Sequence, residues 1–541
     1  MRLSKITALI LACFMTLSLL SACGSKNDTP GGASSTPVNS KTPNDEKAIG
    51  GLHNLEDGVL DVGTSINWET LTPFRSNIGN NAPFASLLYE TLAKLTHEKD
   101  YIPVVAKSWS AEADGVTFNI EIYDYVTDSA GNKITASDIV WMIQASKEAG
   151  LKPVFAKVDS VEQTGDYTLK VKMKQDIFGA FEQVLTNTFV VSKAAYEASK
   201  DEFNTEVVST SQYLLTDFVS GSVISFEKRD DYWQKDNLIH RANAANVDKI
   251  SFRIITEASQ AGIALETGEI DAYMILDPNT ANQFKDNDKF TMKSTSYING
   301  YQMFFSGHES RAVAEDKYLR QAIAYAVDAE GLITGVFAGY GKTMHDPIAD
   351  TSFGYLDKWK SEDYYTYNVE KAKELLAKSN YKGEELELLA TTNTTMQRVS
   401  QMIQAYCLQV GINVKLNLVD QALYTASRLD GSQYDIVLNH VGGDSLPDHW
   451  SIRYDANAYK TGDATSRRDE VLAEMLYKTW TREGFTEENI DAVHQYLKEN
   501  MYAYGMVQPE NIDIWRTDLG MIEQVHTNKG SVDFAASVYK K

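Results

Sequence analysis

The sequence predicts an α/β protein built from more than one lobe, and three observations support that fold class. Strands and helices alternate over residues 385–440, strands and hairpins dominate up to about Thr205, and helices dominate from about Gln302. A chain of 541 residues is also longer than one hydrophobic core usually serves, since domains typically hold roughly 50–200 residues. We therefore expect two or three lobes.

The chain begins with the features of a secretory signal peptide. Arg2 and Lys5 precede a predominantly apolar stretch of fifteen residues, Ile6–Leu20, which is shorter than the roughly 20 residues that a spanning helix needs. Small residues, Ser21-Ala22, then stand directly before Cys23. This pattern resembles the lipobox of bacterial lipoproteins. The resemblance implies that residues 1–22 are removed and that Cys23 becomes a lipid-modified first residue.

The net charge limits the partners that the protein can have, and the cysteine content excludes an internal disulfide. Removal of the signal peptide changes the formal charge from −23 to −25, which argues against nucleic acid or an anionic membrane surface as a partner. Cys13 leaves with the signal peptide and Cys23 is acylated, so Cys407 has no partner for an internal disulfide. We expect stability to come from buried apolar cores.

Residues 24–56 are rich in Gly, Ser, Thr, Asn and Pro. Such a composition cannot bury a hydrophobic core. It predicts a flexible linker that, together with Cys23, occupies residues 23–56 between the lipid and the folded protein.

Local patterns predict the elements that follow. Alternation from Val116 to Ile122 indicates a half-buried strand, and Thr135 with Asp138 indicates the start of a helix. A hairpin is expected around Gly165-Asp166, and a helix over residues 257–267 ended by Gly268.

The clearest pattern is a βαβαβ unit. Its predicted elements are a strand at Glu385–Thr391, a helix at Met396–Val410, a strand at Ile412–Leu418, a short helix at 421–429 and a strand at Tyr434–Leu438. Such a unit builds a parallel sheet, and ligands bind beyond the carboxyl ends of its strands. The third strand leads into Val441-Gly442-Gly443-Asp444, where we expect a site.

The sequence gives little support for catalysis or metal binding. It holds neither a Gly-x-Ser-x-Gly elbow nor a His-Glu-x-x-His helix, and Cys407 lies on an apolar helix face that favours a buried thiol. His440 and His449 bracket two aspartates, yet they lack a regular ligand spacing. We interpret them as exposed loop histidines, and expect no catalytic residue, metal or cofactor.

Several short motifs, each weak alone, together resemble those of one family. In chain order they are Leu88-Tyr89-Glu90-Thr91-Leu92, Ser108-Trp109, Asp114-Gly115, Thr135-Ala136-Ser137-Asp138-Ile139-Val140, Asp231-Tyr232-Trp233, Gly268-Glu269-Ile270-Asp271, Leu319-Arg320-Gln321-Ala322-Ile323 and Tyr367-Asn368. By these motifs the chain is similar to the family 5 extracellular solute-binding proteins, the oligopeptide, dipeptide and nickel class that serves ABC importers.

The resemblance implies a periplasmic-binding-protein-like type II fold, with two lobes joined by two chain crossings and an extra lobe inserted in the first. Mapped onto this chain, lobe I holds 57–95, 206–300 and 503–541. The inserted lobe II holds 96–205, and lobe III holds 301–502. The crossings are expected near Tyr297–Gln302 and Met501–Pro509.

The resemblance also implies a function without catalysis. A monomer on the outer face of the cytoplasmic membrane, anchored only by lipid, would capture an oligopeptide by hinge closure and deliver it to a permease and its ATPase. Asp444, with Asp448 as the alternative, would hold the ammonium group of the ligand. Trp450 could stack on the ligand or fill the core instead, and a further contact falls near Tyr213. An oligosaccharide remains the main rival ligand, and a nickel chelate or a sensory role are further alternatives.

Overall fold

The computed structural model describes residues 58–68, 70–74, 82–150, 152–443, 445–455, 469–527 and 530–539. The predicted signal peptide, Cys23, the linker and Asp444 lie outside the described residues. Within these ranges, no helix combines the length and the apolar character that crossing a membrane requires.

The strands have the following bounds within the described parts of the chain. In order, β1 to β20 are Val59–Thr64, Ala93–Leu95, Tyr101–Pro103, Ala106–Ala111, Thr117–Ile122, Val158–Gly165, Thr168–Met173, Tyr213–Val219, Val223–Lys228, Lys249–Ile254, Ala272–Met274, Phe290–Ser296, Asn299–Phe305, Gly341–Thr343, Leu386–Thr391, Val414–Val419, Ile436–Gly442, Ala503–Arg516, Met521–Glu523 and Val538–Tyr539.

The α-helices of the same parts of the chain are shorter than about five turns. In order, α1 to α15 are Ala82–Leu88, Ala136–Ala149, Pro153–Ala156, Ala180–Asn187, Lys193–Ala198, Ala258–Thr267, Pro278–Ala281, Lys317–Ala326, Ala329–Phe337, Val369–Lys378, Thr394–Gln409, Gln421–Ser427, Leu446–Arg453, Glu470–Trp480 and Glu487–Asn500.

One large mixed sheet of twelve strands forms the frame of the molecule. Its order is β16-β15-β17-β13-β18-β11-β1-β10-β9-β8, and β12 and β14 both pair with β18. The predicted βαβαβ unit is confirmed, because β15 pairs in parallel with β16 on one side and β17 on the other. The α/β class predicted from the sequence is therefore correct.

The fourteen-residue strand β18 connects the two halves of this sheet. Its first half pairs with β13 and β14, and its second half pairs with β12 and β11. Since β12 and β13 follow each other directly, the chain passes between the halves at 296–299 and again at 507–510. The two chain crossings expected from the sequence therefore lie at these two stretches. The assignment of whole lobes stays a prediction.

A separate antiparallel sheet lies within the segment predicted as the inserted lobe. Its order is β4-β5-β7-β6, and α2 and α4 accompany it in the sequence. The predicted hairpin is present as β6 and β7, and the predicted start of α2 is confirmed, since the Thr135 backbone N–H donates to Asp138 Oδ2 at 2.9 Å. The apolar core of this sheet is continuous with side chains around α13 and α14.

The thiol of Cys407 behaves as the sequence predicts. Cys407 is fully buried in the core between α11 and the parallel strands, and burial raises the pKa of its thiol to about 12. The thiol therefore stays protonated and unreactive at neutral pH.

A buried carboxylate ties the end of the chain to the shared strand. Asp513 on β18 is fully buried and accepts hydrogen bonds from the backbone N–H groups of Val532 (2.6 Å) and Ile275 (3.0 Å) and from the Ser531 hydroxyl (3.1 Å). Burial raises the pKa of this carboxyl to about 6, and the donors partly oppose that shift. Three separate chain segments thus depend on one side chain.

We predict that Asp513→Ala lowers the free energy of unfolding by about 3 kcal/mol, because buried backbone donors lose their acceptor. Urea unfolding followed by tryptophan fluorescence measures the change. Asp286→Ala, at an exposed position in a turn, is the matched control and should change stability by less than about 0.5 kcal/mol. Equal effects of the two substitutions would contradict the role given to Asp513.

Candidate functional site

The candidate site lies where β17 ends beside the first crossing. Gly442 is the last residue of β17 and pairs with Asn299 at the start of β13. A Cβ atom on Gly442 would lie 2.2 Å from the Ile298 carbonyl oxygen, and one on Gly443 would lie 2.8 Å from the Cβ of His449. Close backbone approach therefore requires both glycines of the pair.

Helix α13 begins immediately after this glycine pair and is held against a neighbouring segment. Ser445 forms an isolated parallel bridge with Phe353, and the Leu446 N–H donates to the Phe353 carbonyl at 3.0 Å. The Ser352 hydroxyl donates to the Gly443 carbonyl at 2.6 Å. These bonds fix the direction in which the chain leaves β17.

The structure places the predicted site residues unevenly. Asp444 lies outside the described residues, and Asp448 stands on α13, where only its backbone is described. Trp450 is on the same helix and is fully buried, as expected of a core side chain. Asp448 and Trp450 are thus brought to the segment that follows the glycine pair.

Tyr213 lies elsewhere in the sheet. It stands on β8, the edge strand at the opposite end of the sheet order from β16, and it is 1 % exposed. Its hydroxyl donates to the Val247 carbonyl at 2.8 Å, and burial raises the pKa of that phenol. The structure does not bring Tyr213 together with α13, and its role in ligand binding stays an untested prediction.

Sequence reasoning missed a group of polar atoms around α13. Ser445 Oγ, Trp450 Nε1 and Tyr454 OH are buried and have no hydrogen-bond partner among the described residues. A buried polar atom without a partner costs about 1–3 kcal/mol, so such atoms are rare unless they serve a purpose. These atoms lie within the packing around α13, and no periodic pattern in the sequence indicated them.

The interpretation of the two histidines as exposed loop residues is wrong. His449 is 2 % exposed within α13, and His440 lies in β17 with its Nε2 atom buried. The His440 ring stacks on Tyr301, with ring centres 4.4 Å apart, and lies 5.7 Å from Tyr297. Burial lowers the pKa of each imidazole to about 4, so both are neutral at pH 7.

Hydrogen bonds connect the two crossings at this site. Gln508 Nε2 donates to the Tyr297 carbonyl at 2.7 Å, and the Tyr297 N–H donates to the Pro509 carbonyl at 3.1 Å. Gln302 Nε2 donates to the Val441 carbonyl at 3.0 Å, just before the glycine pair. Side-chain hydrogen bonds therefore join the two crossings to each other and the start of β13 to the end of β17.

Metal binding receives no support from the described side chains. Within the ranges that the structure covers, no group of three or more His, Cys, Asp or Glu side chains is arranged to hold a metal ion. The buried, neutral imidazoles belong to the packing around the crossings.

Comparisons with known proteins place this geometry in context. A sequence model of the bacterial extracellular solute-binding proteins, family 5 Middle, matches residues 100–463. The chain is 23% identical over 562 aligned positions to the oligopeptide-binding protein AppA of Bacillus subtilis (strain 168), covering 95% of this chain and 96% of that protein. It is 26% identical over 373 residues to the glutathione-binding protein GsiB of Pectobacterium atrosepticum, covering 68% of this chain and 70% of that protein.

A solved structure agrees with the sequence comparisons. The structure of Bacillus subtilis AppA in complex with a nonapeptide matches this one with a TM-score of 0.68 at 18% identity, covering 85% of this chain and 94% of that chain. At this identity the likeness shows the fold. The two-lobe, type II periplasmic-binding-protein-like fold predicted from the sequence is confirmed.

The buried histidines make stability depend on pH. Below pH 6.5 the unfolded chain takes up protons at His440 and His449 that the folded protein binds only near pH 4, so the free energy of unfolding falls as the pH drops from 6.5 to 4. Each histidine contributes at most about 1.4 kcal/mol per pH unit to the slope.

We predict that His449→Gln makes this slope shallower by up to about 1.4 kcal/mol per pH unit. Urea unfolding of both proteins at several pH values between 4.5 and 7 measures it. An unchanged slope in the variant would show that His449 titrates normally in the folded protein.

Proposed function

Because the chain belongs to the bacterial extracellular solute-binding proteins of family 5, we propose that it captures oligopeptides for an ABC importer. The observation that carries this proposal is the similarity to the oligopeptide-binding protein AppA, which extends over 95% of this chain. Proteins of this family bind a solute and leave it chemically unaltered. We therefore assign no catalytic residue.

We propose capture by hinge closure about the two crossings. The segments 296–299 and 507–510 are the connections that β12, β13 and β18 make between the halves of the large sheet. A solute that contacts both halves binds the closed form better than the open form, and so shifts the equilibrium toward closure. The hydrogen bonds of Gln508 at the crossings would transmit this movement to the end of β17.

The segment after the glycine pair would hold one end of the peptide. Asp444, or Asp448 in its place, would accept charge-assisted hydrogen bonds from the peptide ammonium group. In a closed site that excludes water, such a contact contributes on the order of 2–3 kcal/mol. An extended peptide would use its backbone for the remaining contacts, so that affinity depends little on its sequence.

Glutathione is a second candidate ligand. The similarity to the glutathione-binding protein GsiB covers 70% of that protein, and glutathione is itself a short peptide with a free ammonium group. It would use the same acidic position, which makes ligand length the property that separates the two candidates.

We propose that the protein works on the outer face of the cytoplasmic membrane, attached only through lipid on Cys23, and that it acts as a monomer. The negative charge of the mature chain would keep the folded domain away from the anionic membrane surface, and the flexible linker would span the distance to the lipid. The permease and ATPase of the importer would be its protein partners.

Ligand identity is best tested by a thermal-shift screen of the secreted protein. The panel should hold glutathione, a dipeptide, a tetrapeptide, a nonapeptide, oligosaccharides and a nickel–histidine chelate. We expect at least one peptide to raise the melting temperature, since a ligand at 100 times its dissociation constant stabilises by about 2.7 kcal/mol. A response to the sugars alone would replace the peptide proposal.

We predict that Asp444→Asn weakens the binding of peptides with a free ammonium group by about 30- to 150-fold, while leaving the melting temperature of the free protein unchanged. Calorimetric titration with the best peptide of the screen and with its N-acetylated form measures the effect. The acetylated peptide is the control, because it has no ammonium group to lose. Equal affinities of wild type and variant for the free-amino peptide would exclude Asp444 as its partner.

We also predict that Cys23→Ala moves the protein from the membrane fraction to the soluble secreted fraction, because the thiol that carries the lipid is missing. Fractionation and immunoblotting of the producing cells measure the distribution. Retention of the variant in the membrane fraction would contradict anchoring through Cys23.

A further inference from the structure

A compact contact joins the residues just before α4, in the segment that holds the antiparallel sheet, to the end of α14 and the loop that follows it. The Phe178 backbone N–H donates to the Trp480 carbonyl at 2.6 Å. The Phe178 ring lies 5.5 Å from the ring of Phe353 and 4.9 Å from that of Phe485, and these two rings stack on each other at 5.4 Å. Three aromatic side chains from three distant parts of the sequence thus form one cluster.

An ion pair borders this cluster. Arg482 Nη2 lies 2.9 Å from Glu182 Oε1, and the Arg482 guanidinium lies 5.0 Å from the centre of the Phe178 ring. The Glu182 side chain is 9% exposed, so the pair is partly shielded from water. We refer to Phe178, Glu182, Phe353, Arg482 and Phe485 as the latch.

The latch connects parts of the chain that hinge closure would move relative to each other. Phe178 and Glu182 belong to the segment predicted as lobe II, and the other three residues belong to the segment predicted as lobe III. The lobe II segment is bound to lobe I: the Ser129 N–H donates to the Ser209 carbonyl at 2.7 Å, and Arg229 Nη2 donates to the Asp128 carbonyl at 3.2 Å. A swing of lobe III away from lobe I therefore has to separate the latch.

The latch also borders the candidate site. Gly179, with a φ of 86°, lies so close to Ser445 that a Cβ atom added to it would be 3.7 Å from the Ser445 Cβ. Ser445 directly precedes α13 and follows Asp444 in the sequence. Opening or closing of the latch thus occurs next to the residue proposed to hold the ligand.

We propose that the latch sets the affinity for the ligand and the rate of its release, by stabilising the closed form through contacts that the ligand does not make. This inference rests on the proposed function, since it requires a protein that opens and closes around a solute. Every contact that favours the closed form lowers the population of the open form through which the ligand leaves. The role of lobe II would then be to contact lobe III in the closed form and so to stabilise that form.

An engineered disulfide tests whether the latch must open. The 3.7 Å separation at Gly179 and Ser445 falls within the range of about 3.5–4.5 Å that disulfides span between Cβ atoms. A cysteine at the positive φ of Gly179 strains the backbone, and the reduced double variant carries the same strain, so that the comparison of its oxidised and reduced forms isolates the cross-link. The double variant Gly179→Cys/Ser445→Cys should be made in the mature chain with Cys23→Ser. Cys407 is fully buried and does not compete for oxidation.

We expect the oxidised double variant to exchange the best peptide of the screen at least tenfold more slowly than the same protein after reduction. Protein oxidised with peptide present should retain it through dialysis, and protein oxidised without peptide should bind it slowly. The reduced variant is the control for the two substitutions themselves. Equal exchange rates in the oxidised and reduced forms would overturn the proposal.

Weakening the latch gives an independent measurement. Phe178→Ala and Glu182→Gln should each raise the peptide dissociation rate, the first by about fivefold or more. Glu121→Gln is the matched control for Glu182→Gln, because it removes an exposed ion pair with Lys107 within the segment predicted as lobe II and should leave the rate unchanged. Unchanged rates in both latch variants would count against the proposal.

Failure of the proposed function would be visible separately. If the unaltered protein bound no peptide at all, peptide capture would be wrong. Small-angle scattering of the ligand-free variants would still test whether the latch holds the closed form. Ligand-free Phe178→Ala protein should then show a larger radius of gyration than the oxidised double variant. Equal radii would overturn the latch as a device that holds the closed form.

Discussion

The structure depends on one shared strand. Because β18 pairs with β13 and β14 in its first half and with β11 and β12 in its second, a single run of backbone hydrogen bonds holds the two halves of the large sheet together. The chain passes between the halves in only two short stretches, and Gln508 ties one to the other through Tyr297. Within the large sheet, the connection between the halves therefore depends on β18 and on these two stretches.

The candidate site follows from that constraint. The carboxyl ends of the parallel strands β15, β16 and β17 lie beside the first crossing, because β17 pairs with β13. Gly442 permits the close approach of the Ile298 carbonyl that this pairing imposes. Under the proposed function, a ligand held after the glycine pair would lie beside the first crossing, so that binding and hinge closure would be coupled over a short distance.

Burial of polar groups is concentrated where segments meet. Asp513 joins β18 to the end of the chain, His440 packs between tyrosines at the crossing, and His449 fits against Gly443. Each group carries a shifted pKa because water is excluded around it. At the latch, an ion pair whose glutamate is 9% exposed lies beside three aromatic rings.

The sequence by itself determined the class of fold, the βαβαβ unit, the start of α2, the end of α6 at Gly268 and the burial of Cys407, because these follow from periodicity and from local backbone preferences. Its motifs also indicated the family. Only the tertiary structure decided that His449 is buried, that Tyr213 on β8 and Trp450 on α13 pack in separate apolar clusters, and that Phe178 meets Phe485. These properties arise from contacts between residues far apart in the chain, and no local pattern records which distant side chains will exclude water from one another.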